Sequence, residues 1–124
     1  MTMGPILLIE DNEQNRYLAT FLLEKHGYTV VAAIDGQEGI EIARKCAPVL
    51  ILLDLQLPTM DGYSVARALR SIEALQKVPI IAVTSYAMSG DREKALAAGC
   101  SEYIEKPIDP DNFAAQVQRF LSAG

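Results

Sequence analysis

Four strand-like runs in this sequence each end on polar residues that can do chemistry. The first run leads into Glu10 and Asp11, and the second ends on Asp54. The third ends on Thr84, and the fourth leads into Lys106. Carboxylates, a hydroxyl and an ammonium group together suit a divalent cation and a phosphoryl group, provided that the fold brings the four endings to one place.

The three carboxylates predict a metal site. Carboxylates that lie close together repel, so that one must be protonated or a cation must lie among them. Mg²⁺ is the expected ion, with Mn²⁺ as an acceptable substitute, because it takes oxygen ligands and binds one or two carboxylates together with a phosphate. The alternative for Glu10 and Asp11 is a capping role for the next helix, a role that we assign to Asn12.

Asp54 is the candidate nucleophile. It follows five apolar residues and precedes a loop, so its carboxylate can attack phosphorus and form an acyl phosphate. A metal ligand that never reacts is the alternative. The Thr84 hydroxyl can bond a phosphoryl oxygen, unless Thr84 only completes a strand. Lys106 suits phosphate binding, unless it is an ordinary surface lysine, and a cis bond to Pro107 would turn it inward.

The elements that must position these residues alternate along the chain. Strand-like runs at about 6–10, 28–33, 49–54, 80–84 and 102–105 are separated by helical patterns. Short connections imply right-handed crossovers and parallel strands. We therefore predict an α/β fold, a (βα)5 doubly wound five-stranded parallel sheet with helices on both faces. For its strands we expect the flavodoxin-like order 2-1-3-4-5, which is known for sheets of this type. Ligands bind at the carboxyl ends of such strands.

Local signals mark several helix ends. Gly27 and Gly99 are expected to end the first and fourth helices. Residues 35–38 read as a capping box for the second helix. Asp109 is expected to cap the fifth helix, with Pro110 in its first position. Asp61 and residues 91–94 read as solvated faces.

Composition limits the class of protein. The 124 residues suit one domain, which we expect to span 1–124 with no output domain. A net charge of −5 argues against a nucleic-acid binder. No apolar stretch reaches the roughly 20 residues that a membrane span needs, and the N-terminus lacks a signal-peptide pattern. Cys46 and Cys100 read as reduced thiols of a cytoplasmic protein.

Taken together, the motifs resemble the receiver domain of two-component response regulators, in its stand-alone form of the chemotaxis or cell-division type. The resemblance covers the whole chain. It rests on Asp54, on Thr84, and on three short motifs: residues 10–12, residues 57–62 with their Leu-Pro and Met-Asp-Gly sequences, and residues 106–107. Each motif alone is weak, whereas the full set in this order is highly specific.

The resemblance implies a role for each site residue. Asp54 would accept a phosphoryl group from a histidine kinase or a histidine phosphotransfer protein. Asp11 and Asp54 would ligate Mg²⁺ directly, Glu10 through water, and Gln56 through its backbone carbonyl. Lys106 would pair with the phosphoryl oxygens. Thr84 and Tyr103 would form the switch. The switch would alter the surface of the fourth helix, fifth strand and fifth helix, which a downstream protein would bind. The protein would be a monomer or weak dimer.

Three positions depart from the family pattern or tune it. Ser85 stands where the family usually has alanine or glycine. Gln56 and Tyr86 flank the path of hydrolytic water, and we expect Tyr86 to slow autodephosphorylation.

Three other classes fit less well. A phosphatase of the haloacid dehalogenase type also uses an aspartate and Mg²⁺, but it needs a second aspartate two residues later, where this chain has Gln56. A flavodoxin would not carry an acidic loop at the flavin phosphate. An adaptor that is never phosphorylated would not need Asp54, Thr84 and Lys106 together.

Overall fold

The computed structural model describes residues 4–57, 61–85 and 91–123. Within these ranges strands and helices alternate as β1 (Ile6–Ile9), α1 (Glu13–Lys25), β2 (Val30–Ala33), α2 (Gly36–Cys46), β3 (Leu50–Asp54), α3 (Gly62–Arg70), a 3₁₀ helix (Glu73–Leu75), β4 (Ile80–Thr84), α4 (Asp91–Ala97), β5 (Glu102–Glu105) and α5 (Phe113–Ala123). None of the described helices is long and apolar enough to cross a membrane.

The strands form one parallel sheet in the order β2-β1-β3-β4-β5, which confirms the predicted topology. Ile9 is in register with Leu53, and Asp54 with Val83. Thr84, the last residue of β4, is in register with Glu105. The carboxyl ends of β1, β3, β4 and β5 therefore meet at one edge of the sheet.

Both faces of the sheet are buried, which explains why the central strands are apolar at almost every position. Side chains alternate between the faces, so Leu7 and Ile9 of β1 pack in a cluster that includes α2, α3 and α4. Ile6 and Leu8 pack in a second cluster with α1 and α5. The alternation gives the sheet two apolar layers, and these hold the strands rigidly beneath their polar endings.

Capping side chains set the helix starts. The Asn15 backbone N–H donates to Asn12 Oδ1 at 2.9 Å, and Asn12 is thereby the N-cap of α1. Asp35 accepts from the Glu38 N–H at 2.8 Å, as the capping-box pattern predicts. Glu38 reaches back one residue further than expected, because its carboxylate accepts from the Ile34 N–H.

Two predicted boundaries and one predicted role differ from the structure. β2 begins at Val30 rather than at Tyr28, because the Tyr28 N–H is taken by Leu23 O in the turn after α1. The α-helix α5 begins only at Phe113, since the preceding residues form a tighter turn on Asp109. Asp61, expected to be a solvated face, is exposed but also caps α3 by accepting from the Tyr63 N–H.

Candidate functional site

The acidic residues at the strand endings converge. Glu10 directly follows β1, and Asp54 ends the neighbouring strand β3. Carboxylate oxygens of Glu10, Asp11 and Asp54 all lie within 4.8 Å of one another. Glu10 and Asp54 are buried, with 3% and 2% of their surface exposed, whereas Asp11 is exposed. The cluster is thus closed toward the core and open to solvent on the side of Asp11.

Lys106 extends into this cluster from the end of β5. Its Nζ lies 3.2 Å from Asp54 Oδ2 and 3.4 Å from Glu10 Oε1. The Lys106 backbone N–H donates to Thr84 O at 2.7 Å, and the Lys106–Pro107 peptide bond is cis. Only 13% of the lysine side chain is exposed, so its ammonium group is a nearly buried counter-charge rather than a surface charge.

The charge of this site is unbalanced, because one ammonium group faces three carboxylates. Burial, followed by the adjacent Asp54 carboxylate, raises the pKa of Glu10 from 4.5 to about 7. The Asn12 N–H, which donates to Glu10 Oε2 at 3.2 Å, and Lys106 act in the opposite direction but do not cancel the effect. Three oxygen donors with excess negative charge and one open side are the donor set that Mg²⁺ takes.

Both carboxylate oxygens of Asp54 are held by neighbours. The Gln56 backbone N–H donates to Oδ1 at 2.9 Å, while Oδ2 faces the Lys106 ammonium. Thr84 is also buried, and it lies on the adjacent strand one residue beyond Val83, the register partner of Asp54. The carboxylate that the sequence singles out is therefore preorganised, with a hydroxyl-bearing residue at the end of the next strand.

Tyr103 lies on the edge strand β5 and is half-buried. Its ring packs against the core cluster that includes α2, α3 and α4. The Arg92 guanidinium lies over the ring, 5.8 Å from its centroid. Tyr103 thus connects β5 to α4, which is the surface expected to change.

Sequence reasoning missed two side chains of this site. Arg16 of α1 donates from Nη1 to the backbone oxygens of Glu10, at 2.9 Å, and Asp11, at 3.3 Å. The Gln56 side-chain oxygen accepts from the Ser85 N–H at 3.0 Å, which joins the loops after β3 and β4. The position of Arg16, one turn after the helix cap Asn12, was a signal in the sequence for its contact with the acidic loop. Only the paths of the two loops reveal the contact between Gln56 and Ser85.

Some predicted features lie outside the described residues. These are Pro58 and Met60 of the loop motif and Tyr86, with its expected effect on autodephosphorylation. Ser85 is described and exposed, so its hydroxyl has room in the loop after β4.

Comparison with known proteins gives consistent results. The model of the response regulator receiver domain family matches residues 6–118. Polar-differentiation response regulators DivK of Brucella ovis and Brucella abortus are each 40% identical over 116 residues, which is 94% of this chain and of theirs.

Solved structures show the same fold. The receiver domain of a sensor histidine kinase from Pseudomonas aeruginosa PAO1, solved with a magnesium ion coordinated in its active-site cleft, is 37% identical with a TM-score of 0.88. The alignment covers 98% of this chain and 99% of that one. The chemotaxis protein CheY4 of Vibrio cholerae is 26% identical with a TM-score of 0.92, covering 96% and 99% of the two chains.

Proposed function

The chain belongs to the response regulator receiver domain family of two-component signalling, and we propose that Asp54 is its phosphoacceptor in a Mg²⁺-dependent reaction with a phosphohistidine donor. The observation that carries the proposal is the setting of Asp54. Its carboxylate is buried at a strand ending, held by the Gln56 N–H and paired with Lys106. Glu10 is also buried and also has a backbone donor and the Lys106 ammonium nearby, but it follows its strand, whereas Asp54 ends its own.

The metal-binding residues in this proposal are Glu10, Asp11 and Asp54, together with the backbone carbonyl of Gln56. Three clustered carboxylates, one of them facing solvent, support the assignment. An ion held by these residues, Mg²⁺ or Mn²⁺ in its place, would supply positive charge against the transferring phosphoryl group. Arg16 assists by holding the backbone oxygens of the acidic loop.

The chain's own residues then perform a simple substitution at phosphorus. A carboxylate oxygen of Asp54 forms a bond to phosphorus, while the phosphorus–nitrogen bond of the donor breaks and the imidazole leaves with that electron pair. Lys106 already lies beside Asp54 and pairs with oxygens of the arriving phosphoryl group. The Thr84 hydroxyl bonds a further phosphoryl oxygen.

Phosphorylation changes the surface through Thr84 and Tyr103. An acyl phosphate replaces the single negative charge of the Asp54 carboxylate with a phosphoryl group that carries about two, and it brings new acceptor oxygens to one point. Thr84 and Lys106 gain contacts only in that state, so they bias a two-state equilibrium toward it. Full inversion of such an equilibrium, from 1:99 to 99:1, needs about 5.5 kcal/mol of differential binding. Tyr103 transmits the change to the surface of α4, β5 and α5.

We propose a switch rather than a turnover enzyme. Receiver domains are signalling switches, and the position where a phosphatase would carry its general acid is Gln56, whose amide cannot donate a proton to a leaving group. The donor is a histidine kinase or a histidine phosphotransfer protein, and the receiver of the signal is a downstream protein. Residues 1–124 would act as one receiver domain, a cytoplasmic monomer or weak dimer with reduced Cys46 and Cys100.

One experiment separates these functions. The protein is incubated with Mg²⁺ and acetyl phosphate, and its intact mass is measured beside that of Asp54→Asn. We expect a single phosphate adduct that requires Mg²⁺ and is lost in the variant. An adduct that persists in Asp54→Asn contradicts the assignment of the phosphoacceptor, absence of any adduct favours the adaptor, and steady catalytic release of phosphate favours the phosphatase.

A further inference from the structure

One guanidinium group on α4 contacts two consecutive residues of β5. Arg92 Nη2 lies 3.1 Å from Glu102 Oε1, in an ion pair whose side chains are 51% and 35% exposed. The same guanidinium lies over the ring of Tyr103, with its carbon 5.8 Å from the ring centroid. The Tyr103 backbone N–H approaches the same Glu102 oxygen at 3.4 Å. Arg92 is therefore not simply part of a solvated face.

Contacts with the core and with α4 hold the tyrosine ring. Tyr103 is half-buried, and its inner side packs against the core cluster that contains Ala95 of α4. Among the described residues it also contacts the Arg92 guanidinium, whose direction is set by the ion pair with Glu102. The cation–π contact is lost if the ring turns away from Arg92.

We infer that Arg92 is a positioning residue for Tyr103 that opposes activation. The inference rests on the proposed function, in which Tyr103 moves when Asp54 is phosphorylated. Arg92 and Glu102 stabilise the ring position of the unmodified chain, in which Lys106 pairs directly with the Asp54 carboxylate. The Arg92–Glu102 pair thereby sets how much phosphorylation, or how much of a phosphoryl analogue, is needed to populate the active state.

Linkage makes the inference measurable. A ligand that favours the active state binds more weakly when the inactive state is more stable. Removing a contact that is made only in the inactive state must therefore tighten the binding of that ligand. One exposed ion pair and one exposed cation–π contact together correspond to about a threefold to tenfold change in affinity.

The test uses beryllofluoride as the phosphoryl analogue, with saturating Mg²⁺, on the full chain. Arg92→Met retains the aliphatic stem but removes both contacts, whereas Glu102→Gln removes only the ion pair. Arg92→Lys keeps a cation near the ring. Lys94→Met, on the exposed side of the same helix, is the matched control for loss of one positive charge. Each variant is titrated, and the Tyr103 ring signals are followed by NMR without the analogue.

The expected order is clear. Arg92→Met tightens beryllofluoride binding about threefold to tenfold and shifts the Tyr103 ring signals, Glu102→Gln gives a smaller effect, and Arg92→Lys and Lys94→Met stay near wild type. Unchanged or weaker binding in Arg92→Met, or an equal gain in Lys94→Met, overturns the inference. If wild type does not bind the analogue, the proposed function fails, and unshifted Tyr103 signals in Arg92→Met still refute the contact with the ring.

Discussion

Replacing Lys106 with methionine should destabilise the metal-free protein and make its stability unusually dependent on Mg²⁺. The lysine Nζ lies 3.2 Å from Asp54 Oδ2 and 3.4 Å from Glu10 Oε1, and both carboxylates are buried. With an effective dielectric constant of about 20, each attraction is worth about 5 kcal/mol before the cost of desolvation when the carboxylate is ionised. For Glu10, whose pKa is raised to about 7, this requires a pH above about 7, so the measurement is made there. Methionine fills similar space but leaves the carboxylates without their counter-charge.

The net loss is smaller than the sum of these attractions, because the lysine no longer has to be desolvated. Breaking one side of a buried ion pair typically costs about 3–5 kcal/mol. Asp11 faces solvent and admits water, so we expect a loss of about 3 kcal/mol. At roughly 4 °C per kcal/mol for a domain of this size, the melting temperature should fall by about 12 °C.

Mg²⁺ should reverse much of this loss, because it brings positive charge to the same three carboxylates. The assay is urea unfolding followed by circular dichroism, first with a chelator and then with saturating Mg²⁺. Lys45→Met, an exposed charge removal on α2, serves as the control and should change stability by less than about 0.5 kcal/mol.

A double-variant cycle tests the reasoning directly. In an Asp54→Asn background the lysine has lost one of its two carboxylate partners, so Lys106→Met should cost about half as much as it does in wild type. The reasoning is refuted if Lys106→Met costs less than about 1 kcal/mol in the chelator, or if Mg²⁺ leaves the gap to wild type unchanged.

Three further outcomes follow from other parts of the fold. Arg70→Lys should lower the free energy of unfolding by about 2–3 kcal/mol in urea titrations. One ammonium group cannot replace the guanidinium hydrogen bonds to the backbone oxygens of Gly99, Leu75 and Val78 at 2.7–2.8 Å, and an unchanged urea midpoint would contradict this. Gly62→Ala should weaken Mg²⁺ binding and lower the free energy of unfolding by about 2 kcal/mol, because a Cβ would lie 2.4 Å from the Leu55 Cα and displace the loop after β3. A Mg²⁺ affinity equal to that of wild type would contradict this. Burial raises the pKa of Cys100 to about 11, so the stability due to the neutral thiol is complete below pH 9 and is lost as the pH rises through about 11, by about 3 kcal/mol. Equal alkaline slopes of the unfolding free energy for wild type and Cys100→Ala would exclude this.

The local pattern was enough to predict a parallel sheet covered on both faces and the edge that carries the acids, whereas the strand order was expected from the flavodoxin-like fold. Continuous apolar runs required strands covered on both faces, and short connections required parallel neighbours. The places of Glu10, Asp54 and Thr84 in the site were therefore predictable, because each residue belongs to or adjoins the end of a strand. The caps at Asn12 and Asp35 were predictable for the same reason, since their hydrogen bonds span only three residues.

Contacts between distant segments were decided by the tertiary structure. Gln56 and Ser85 are 29 residues apart, and their hydrogen bond depends on how two loops leave the sheet. Arg70 bonds to the turn before β5 across a similar separation. Arg92 looked like one charge of a solvated run, yet helix packing puts it over Tyr103. The sequence by itself determined which chemical groups gather at the sheet edge, because strand periodicity is local. Which side chains hold and restrain those groups depended on loop paths and helix packing, which no local pattern encodes.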